Sequence, residues 1–89
     1  MLTPVYSKQF SKDIKRIQKR GKSQNKLKMV IQKLVNGERL NPIYNDHKLI
    51  GNYKGRRECH LESNWLLIYK IKEDEIIFER TGTHSDLFE

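Results

Sequence analysis

Apolar residues recur along this chain first at the spacing of a helix and then at the spacing of a strand. Phe10, Ile14 and Ile17 stand at i, i+4 and i+7, with Lys and Arg on the other faces. That stripe predicts an amphipathic helix from Ser7, a capping residue, to Arg20, stopped by Gly21. Leu27, Val30, Ile31, Leu34 and Val35 give a wider apolar face and predict a second helix over Ser23 to Val35, closed by Asn36-Gly37. A short turn joins the two into a helical hairpin. Ahead of it, LTPVY at residues 2–6 is β-prone, and Pro4 suits the start or edge of a strand.

The pattern changes after residue 51. Residues 38–51 lack periodicity and hold the turn formers Asn41-Pro42 and Asn45-Asp46, so they read as a loop, with His47 in it. YKGRRECHL, 53–61, alternates, with Arg57, Cys59 and Leu61 on one face and Arg56, Glu58 and His60 on the other. Glu62-Ser63-Asn64 makes a turn. WLLIYKI, 65–71, is the continuous apolar run of a central strand. EIIFERT, 75–81, follows, with Ile76, Phe78 and Arg80 expected on one face, and Gly82 releases a tail. The fold class is α+β, in the order β-α-α-β-β-β: one N-terminal strand, the helical hairpin, then three further strands of an antiparallel sheet. At 89 residues this makes one domain, 1–89.

Charge adds a direction. Residues 1–57 hold 15 Lys and Arg against 3 Asp and Glu, while residues 58–89 hold 3 against 8. The basic part suits a polyanion such as nucleic acid, or an acidic protein partner, with strong salt dependence. No apolar stretch is long enough to cross a bilayer, no signal peptide is read, and a single cysteine, Cys59, allows no internal disulfide. The expectation is a cytoplasmic protein without membrane contact.

Candidate chemistry gathers late in the chain. Paired as a hairpin, the last two strands would set Arg80 opposite the start of the central strand, near Trp65. His60 would lie at the same edge, and His84 in the tail beyond it. Histidine exchanges protons near neutrality, arginine matches phosphate, and aromatic faces such as Trp65 and Phe88 stack bases. Such a set suits metal-free RNA cleavage. A base takes the proton of the 2′-hydroxyl, that oxygen attacks the adjacent phosphorus, and an acid protonates the departing 5′-oxygen. The products are a 2′,3′-cyclic or 3′-phosphate and a 5′-hydroxyl, and DNA resists. Zinc is disfavoured, because adjacent Cys59 and His60 face opposite sides of a strand and no CxxC or HxxxH spacing occurs. No phosphate-binding glycine loop or dinucleotide fingerprint is found, so no cofactor is expected.

The stretch DHKLIGNYKGRRECHLESNWLLIYKI, followed by FERTGTHSDLF, resembles the YafQ-like branch of the RelE/ParE toxin superfamily. The likeness is densest over residues 46–88 and extends more weakly across SKQFSKDIKRIQKRG and NKLK of the hairpin. It implies a curved antiparallel sheet packed by the helical hairpin. It also implies the toxin of a bacterial toxin–antitoxin pair, a metal-free endonuclease that cuts mRNA in the ribosomal A site. The implied partners are a cognate antitoxin protein, the ribosome and mRNA, with operator DNA met through the antitoxin complex.

Residue by residue, the resemblance matches the loop histidine to His47, the strand histidine to His60, the tryptophan to Trp65, the RTGTH motif to Arg80 and His84, and the near-terminal phenylalanine to Phe88. The implied roles are Arg80 on the scissile phosphate, His84 as acid and His60 or His47 as base. Acid and base remain interchangeable at this point. Trp65 and Phe88 would position the nucleotide or pack the tail; Lys54, Arg56, Glu58 and Asn64 complete the substrate-binding set. Asn64 stands where this branch usually has aspartate. An amide cannot act as a base, so Glu62 becomes the candidate substitute. The basic residues of 8–33 would contact ribosomal RNA. Two other functions share part of this pattern: a ParE-like gyrase poison, which needs no His/Arg cluster, and an inert basic RNA-binding module.

Overall fold

The computed structural model describes residues 1–88. Strand β1 (Thr3–Tyr6) leads into helix α1 (Lys8–Lys19) and helix α2 (Gln24–Val35). Both helices start where the sequence places a cap. Ser7 Oγ accepts the Phe10 N–H at 2.9 Å and Ser23 Oγ accepts the Lys26 N–H at 3.3 Å. Then come β2 (His47–Lys48), β3 (Arg57–Glu62), β4 (Trp65–Lys72), β5 (Glu75–Gly82) and α3 (His84–Phe88). The five strands form one sheet in the order β1-β5-β4-β3-β2. β1 runs parallel to β5 at the edge, where Pro4 is tolerated, and the other neighbours are antiparallel.

Hairpin α1–α2 covers one face. Phe10, Ile17, Leu27, Val30, Leu34 and Val35 pack there against Cys59, Leu61, Trp65, Leu67, Tyr69, Ile76 and Phe78. On the opposite face Leu66 and Ile68 meet Leu87 of α3, flanked by Leu49 and Tyr53. Covered on both sides, β4 needs the unbroken apolar run WLLIY. Among the described residues, no helix is long and apolar enough to cross a membrane.

Four local features depart from the expectations. His47–Lys48 is a two-residue strand on the sheet edge, not loop, paired with Arg57 and Glu58. Residues 53–56 are not strand: a 3₁₀ turn at Gly51–Tyr53 and Gly55 at φ +89° bend the chain before β3 begins. The tail forms α3 through a local device invisible to periodicity. Thr83 Oγ1 accepts the Asp86 N–H at 3.1 Å while Asp86 Oδ2 accepts the Thr83 N–H at 2.9 Å, a reciprocal helix cap. Finally, β5 carries a bulge, since Tyr69 pairs with Phe78 but Ile68 pairs with Arg80. The extra residue flips the side-chain parity. Arg80 therefore shares the α3 face with Ile68, instead of the hairpin face with Ile76 and Phe78.

Candidate active site

The sheet register aligns His47, Glu58, Ile68 and Arg80 in one row across four strands, with His60, Leu66 and Gly82 in the next. The three imidazoles form a chain, with ring centroids 6.1 Å apart for His47 and His60 and 6.0 Å apart for His60 and His84. Glu58 lies between the first two. Only 5% exposed, it receives His60 Nε2 at 3.0 Å and stands 3.6 Å from His47 Nε2. Its carboxylate can only accept, so His60 Nε2 carries the proton and Nδ1 is left for exchange. His47 Nδ1 lies 2.7 Å from the Asn45 carbonyl, which fixes the proton on Nδ1.

Asn64 orients His84. Its Oδ1 accepts the His84 backbone N–H at 3.0 Å, which settles the amide's direction, and the same oxygen lies 2.8 Å from His84 Nδ1. That nitrogen is then the donor, and Nε2 faces outward for chemistry. Phe88 packs 6.3 Å from the His84 ring and 5.3 Å, edge-on, from Tyr53.

Arg80 is held from the other side. Its Nε donates to Asp13 Oδ2 at 2.8 Å and its Nη2 to Asp13 Oδ1 at 3.3 Å and to the Asp86 carbonyl at 3.4 Å. Asp13 is 0% exposed and also accepts the Thr81 N–H at 3.1 Å. That hydrogen-bonded carboxylate pushes the Arg80 pKa further up, so its charge is permanent. Asp46 anchors the row's other end. It accepts the Tyr69 hydroxyl at 2.8 and 2.7 Å and Arg57 Nε at 3.1 Å, directly before His47. Burial and then Asp46 push the Tyr69 phenol well above its ordinary value, so it stays a donor.

Several expected placements change. Arg80 lies opposite Ile68, not beside Trp65. It walls a cavity of about 530 Å³ lined by Ser7, Asn52, Tyr53, Arg56, Ile77 and Glu79. His60 lines a different recess, with Tyr44, Asn45 and Glu62. The histidines and the guanidinium thus share a sheet face without sharing one cavity. Trp65 is 1% exposed, with Nε1 on Thr81 Oγ1 at 2.9 Å, and offers no face to a base. Glu62 is no substitute base, because Lys22 at 2.8 Å and Lys26 at 3.5 Å bind it and Lys22 lowers its pKa. Glu58 touches the two histidines and is too buried to meet substrate broadly. Arg56 pairs with Glu79, and Lys54 is exposed nearby.

Asp13, Asp46 and Tyr53 were not singled out from sequence. Asp13 had a signal: it is an acid on the apolar stripe of a helix otherwise rich in Lys and Arg. Tyr53 had none. Among the described residues, His47, Glu58 and His60 form the one set whose ligand atoms lie within 4.8 Å of one another and could hold a metal ion. Cys59 is not in it; it is buried, and burial pushes its thiol well up.

Comparison with known proteins covers nearly the whole chain. Residues 2–89 match the family described as the bacterial toxin of type II toxin-antitoxin systems, YafQ. The mRNA interferase toxin YafQ of Escherichia coli K12 is 50% identical over 84 residues, 93% of this chain and 91% of that protein. The toxin in the E. coli DinJ–YafQ toxin–antitoxin complex superposes with a TM-score of 0.92 at 47% identity, covering 99% of this chain and 98% of that one. A metal-bound toxin from Helicobacter pylori superposes at 0.93 with 43% identity, covering 99% and 100%.

Proposed function

From the premise that this chain belongs to the bacterial YafQ family of type II toxin–antitoxin toxins, we propose that it cuts mRNA on the ribosome by attack of the 2′-hydroxyl on the adjacent phosphate. The observation that carries the reading is the run of His47, His60 and His84 on one sheet face, at centroid spacings of 6.1 and 6.0 Å. Two differently held imidazoles supply a base and an acid without a metal.

His60 is the base: Glu58 fixes its Nε2, which leaves Nδ1 to take the hydroxyl proton. His84 is the acid: Asn64 fixes its Nδ1, which leaves Nε2 to hand a proton to the 5′-oxygen. His47 sits behind Glu58, with Nε2 3.6 Å from the carboxylate, and supports it only when the ring is doubly protonated. Arg80, preset by Asp13, holds the phosphate whose charge grows in the transition state. Phe88, held edge-on by Tyr53, stacks the nucleotide. Lys and Arg along α1 and α2 contact ribosomal RNA, so ribosome affinity falls steeply with salt. A cognate antitoxin neutralises the toxin, as DinJ is found complexed with YafQ, and operator DNA is met through that complex.

Primer extension on mRNA from an in-vitro translation reaction tests this. The purified protein should give discrete cuts at A-site codons, and Arg80→Ala should give none.

The three-ligand set at His47, Glu58 and His60 favours one other reading, in which a metal ion takes part. Stripping the protein with a zinc and copper chelator before the assay separates the two. Metal-free cleavage keeps its rate, whereas metal-assisted cleavage loses it.

A further inference from the structure

The cavity beside Arg80 is left unused by the acid and base chemistry. We propose that it is a second nucleotide subsite, taking the phosphodiester next to the scissile one together with its sugar and base; this rests on the mRNA-cleaving reading above. Its volume of about 530 Å³ falls in the range of about 300–1,000 Å³ common to small-ligand sites.

Two guanidinium groups wall it, each gripped along one edge by a carboxylate. Asp13 takes Nε and Nη2 of Arg80. Glu79 takes Nε of Arg56, whose Nη1 reaches the Lys54 carbonyl at 3.5 Å. Among the described residues, Arg80 Nη1 and Arg56 Nη2 have no hydrogen-bond partner. The forks are thus preset with donors to spare, which is what a phosphate oxygen requires. Lys70, 3.7 Å from Glu79, adds a further cation beside the Arg56–Glu79 pair.

The β5 bulge is the cause of this arrangement. The inserted residue puts Glu79 and Arg80 on the same face, so that one neighbour locks Arg56 while the other completes the wall.

Tyr53 supplies the apolar side. Its hydroxyl donates to the Leu87 carbonyl at 3.0 Å and its ring meets Phe88 edge-on at 5.3 Å, so the ring is fixed at both ends. A fixed aromatic ring suits base stacking of any sequence. Phe88 in turn lies 6.3 Å from His84, which joins the cavity to the imidazole chain. Arg80 is two strands from Glu58 in the same cross-strand row, about 10 Å at the usual strand spacing. An RNA strand crossing that row sets successive phosphates over the histidines and over Arg56.

The test pairs a neutral phosphate with a changed side chain. Ribosomes are programmed with mRNA carrying a methylphosphonate at the linkage on one or the other side of the cut. Wild-type protein should cut one of these roughly 10- to 100-fold more slowly, as expected for a charged hydrogen bond lost. Arg56→Gln should cut unmodified mRNA more slowly by a similar factor and show no further loss with that methylphosphonate; Arg56→Lys should recover part of the rate. Glu79→Gln, which loosens the preset Arg56 fork, should cut unmodified mRNA more slowly than wild type but faster than Arg56→Gln and keep only part of the methylphosphonate effect, whereas a merely structural pair would leave that effect at its wild-type size. Additive losses in Arg56→Gln, or indifference of the wild type to both methylphosphonates, overturn the subsite while leaving the cleavage mechanism standing. Absence of any cut in unmodified mRNA removes both.

Discussion

Asp13, buried on the first helix, grips Arg80 on the last strand through two hydrogen bonds of 2.8 and 3.3 Å, across 67 residues of chain. The same carboxylate accepts the Thr81 N–H at the stretch of β5 that β1 does not reach. One acid therefore closes a sheet edge and fixes the Arg80 guanidinium. Asp13→Ala removes both functions and leaves Arg80, whose side chain keeps 24% exposure, partly buried without its counter-charge. The expected cost is about 3 kcal/mol, the low end for a broken buried pair. Asp13→Asn keeps an acceptor for Thr81 and should cost about 1–2 kcal/mol while cleavage falls further than stability. Urea unfolding beside primer extension separates the two effects.

On the proposed mechanism His84 is the acid, and its removal should be felt in rate alone. His84→Ala should slow cleavage on the order of 10²–10⁴-fold, with the thermal midpoint little moved because the ring is exposed. Undiminished growth arrest on expression of His84→Ala would remove histidine 84 from the mechanism.

Asn64 gives His84 an uncharged partner through Oδ1 at 2.8 Å. A carboxylate in that place would favour the doubly protonated ring. Asn64→Asp should therefore carry the alkaline limb of the pH–rate profile to higher pH. An unmoved limb would mean that the proton comes from elsewhere.

Gly82 is required by a close approach. A Cβ there would stand 2.8 Å from Asp86 Oδ2 and 3.0 Å from Asp86 Cβ. Gly82→Ala should displace Asp86, undo the Thr83–Asp86 cap and loosen α3. We expect a loss of about 1–3 kcal/mol together with slowed cleavage, because α3 carries both His84 and Phe88. Amide exchange across residues 83–88 would report the loosening.

Helix α3 also has an acid limit. The Arg20 guanidinium, followed by the Thr83 N–H, holds the Asp86 carboxyl well below the usual carboxylate range. A depressed carboxylate stabilises the fold above its unfolded pKa, and that contribution drains as pH falls through the folded value. The hold on the tail should be whole from neutral pH down to about 4 and be lost progressively below that, toward the folded value. Tyr53 fluorescence and exchange at Leu87 should follow that window, and Asp86→Asn should abolish the dependence.

Much of this was legible in the chain. The caps at Ser7 and Ser23, the two apolar helix faces and the run WLLIY are local signals, and the helices and β4 follow them. His47, His60 and His84 were recognisable as a set through the DH, ECH and RTGTH segments. Long-range facts were not legible. The bulge between Phe78 and Arg80 is a register event, and it turns Arg80 away from the face that simple alternation assigns. Asp13 stands on the apolar stripe of α1, but its partners, Arg80 and the Thr81 N–H, lie 67 and 68 residues away and no local pattern names them. Trp65 read as a stacking platform because aromatic type says nothing of burial. The cap that folds residues 84–88 spans too few residues to leave a period.

A single deoxyribose decides whether the 2′-hydroxyl is the nucleophile. Ribosomes carrying an mRNA with 2′-deoxy sugar at the nucleotide 5′ to the mapped cut should yield no product at that linkage, while the all-ribose message yields a 2′,3′-cyclic phosphate and a 5′-hydroxyl. Cleavage that persists at the deoxy position, or products ending in 5′-phosphate, would contradict transesterification by the His60–His84 pair.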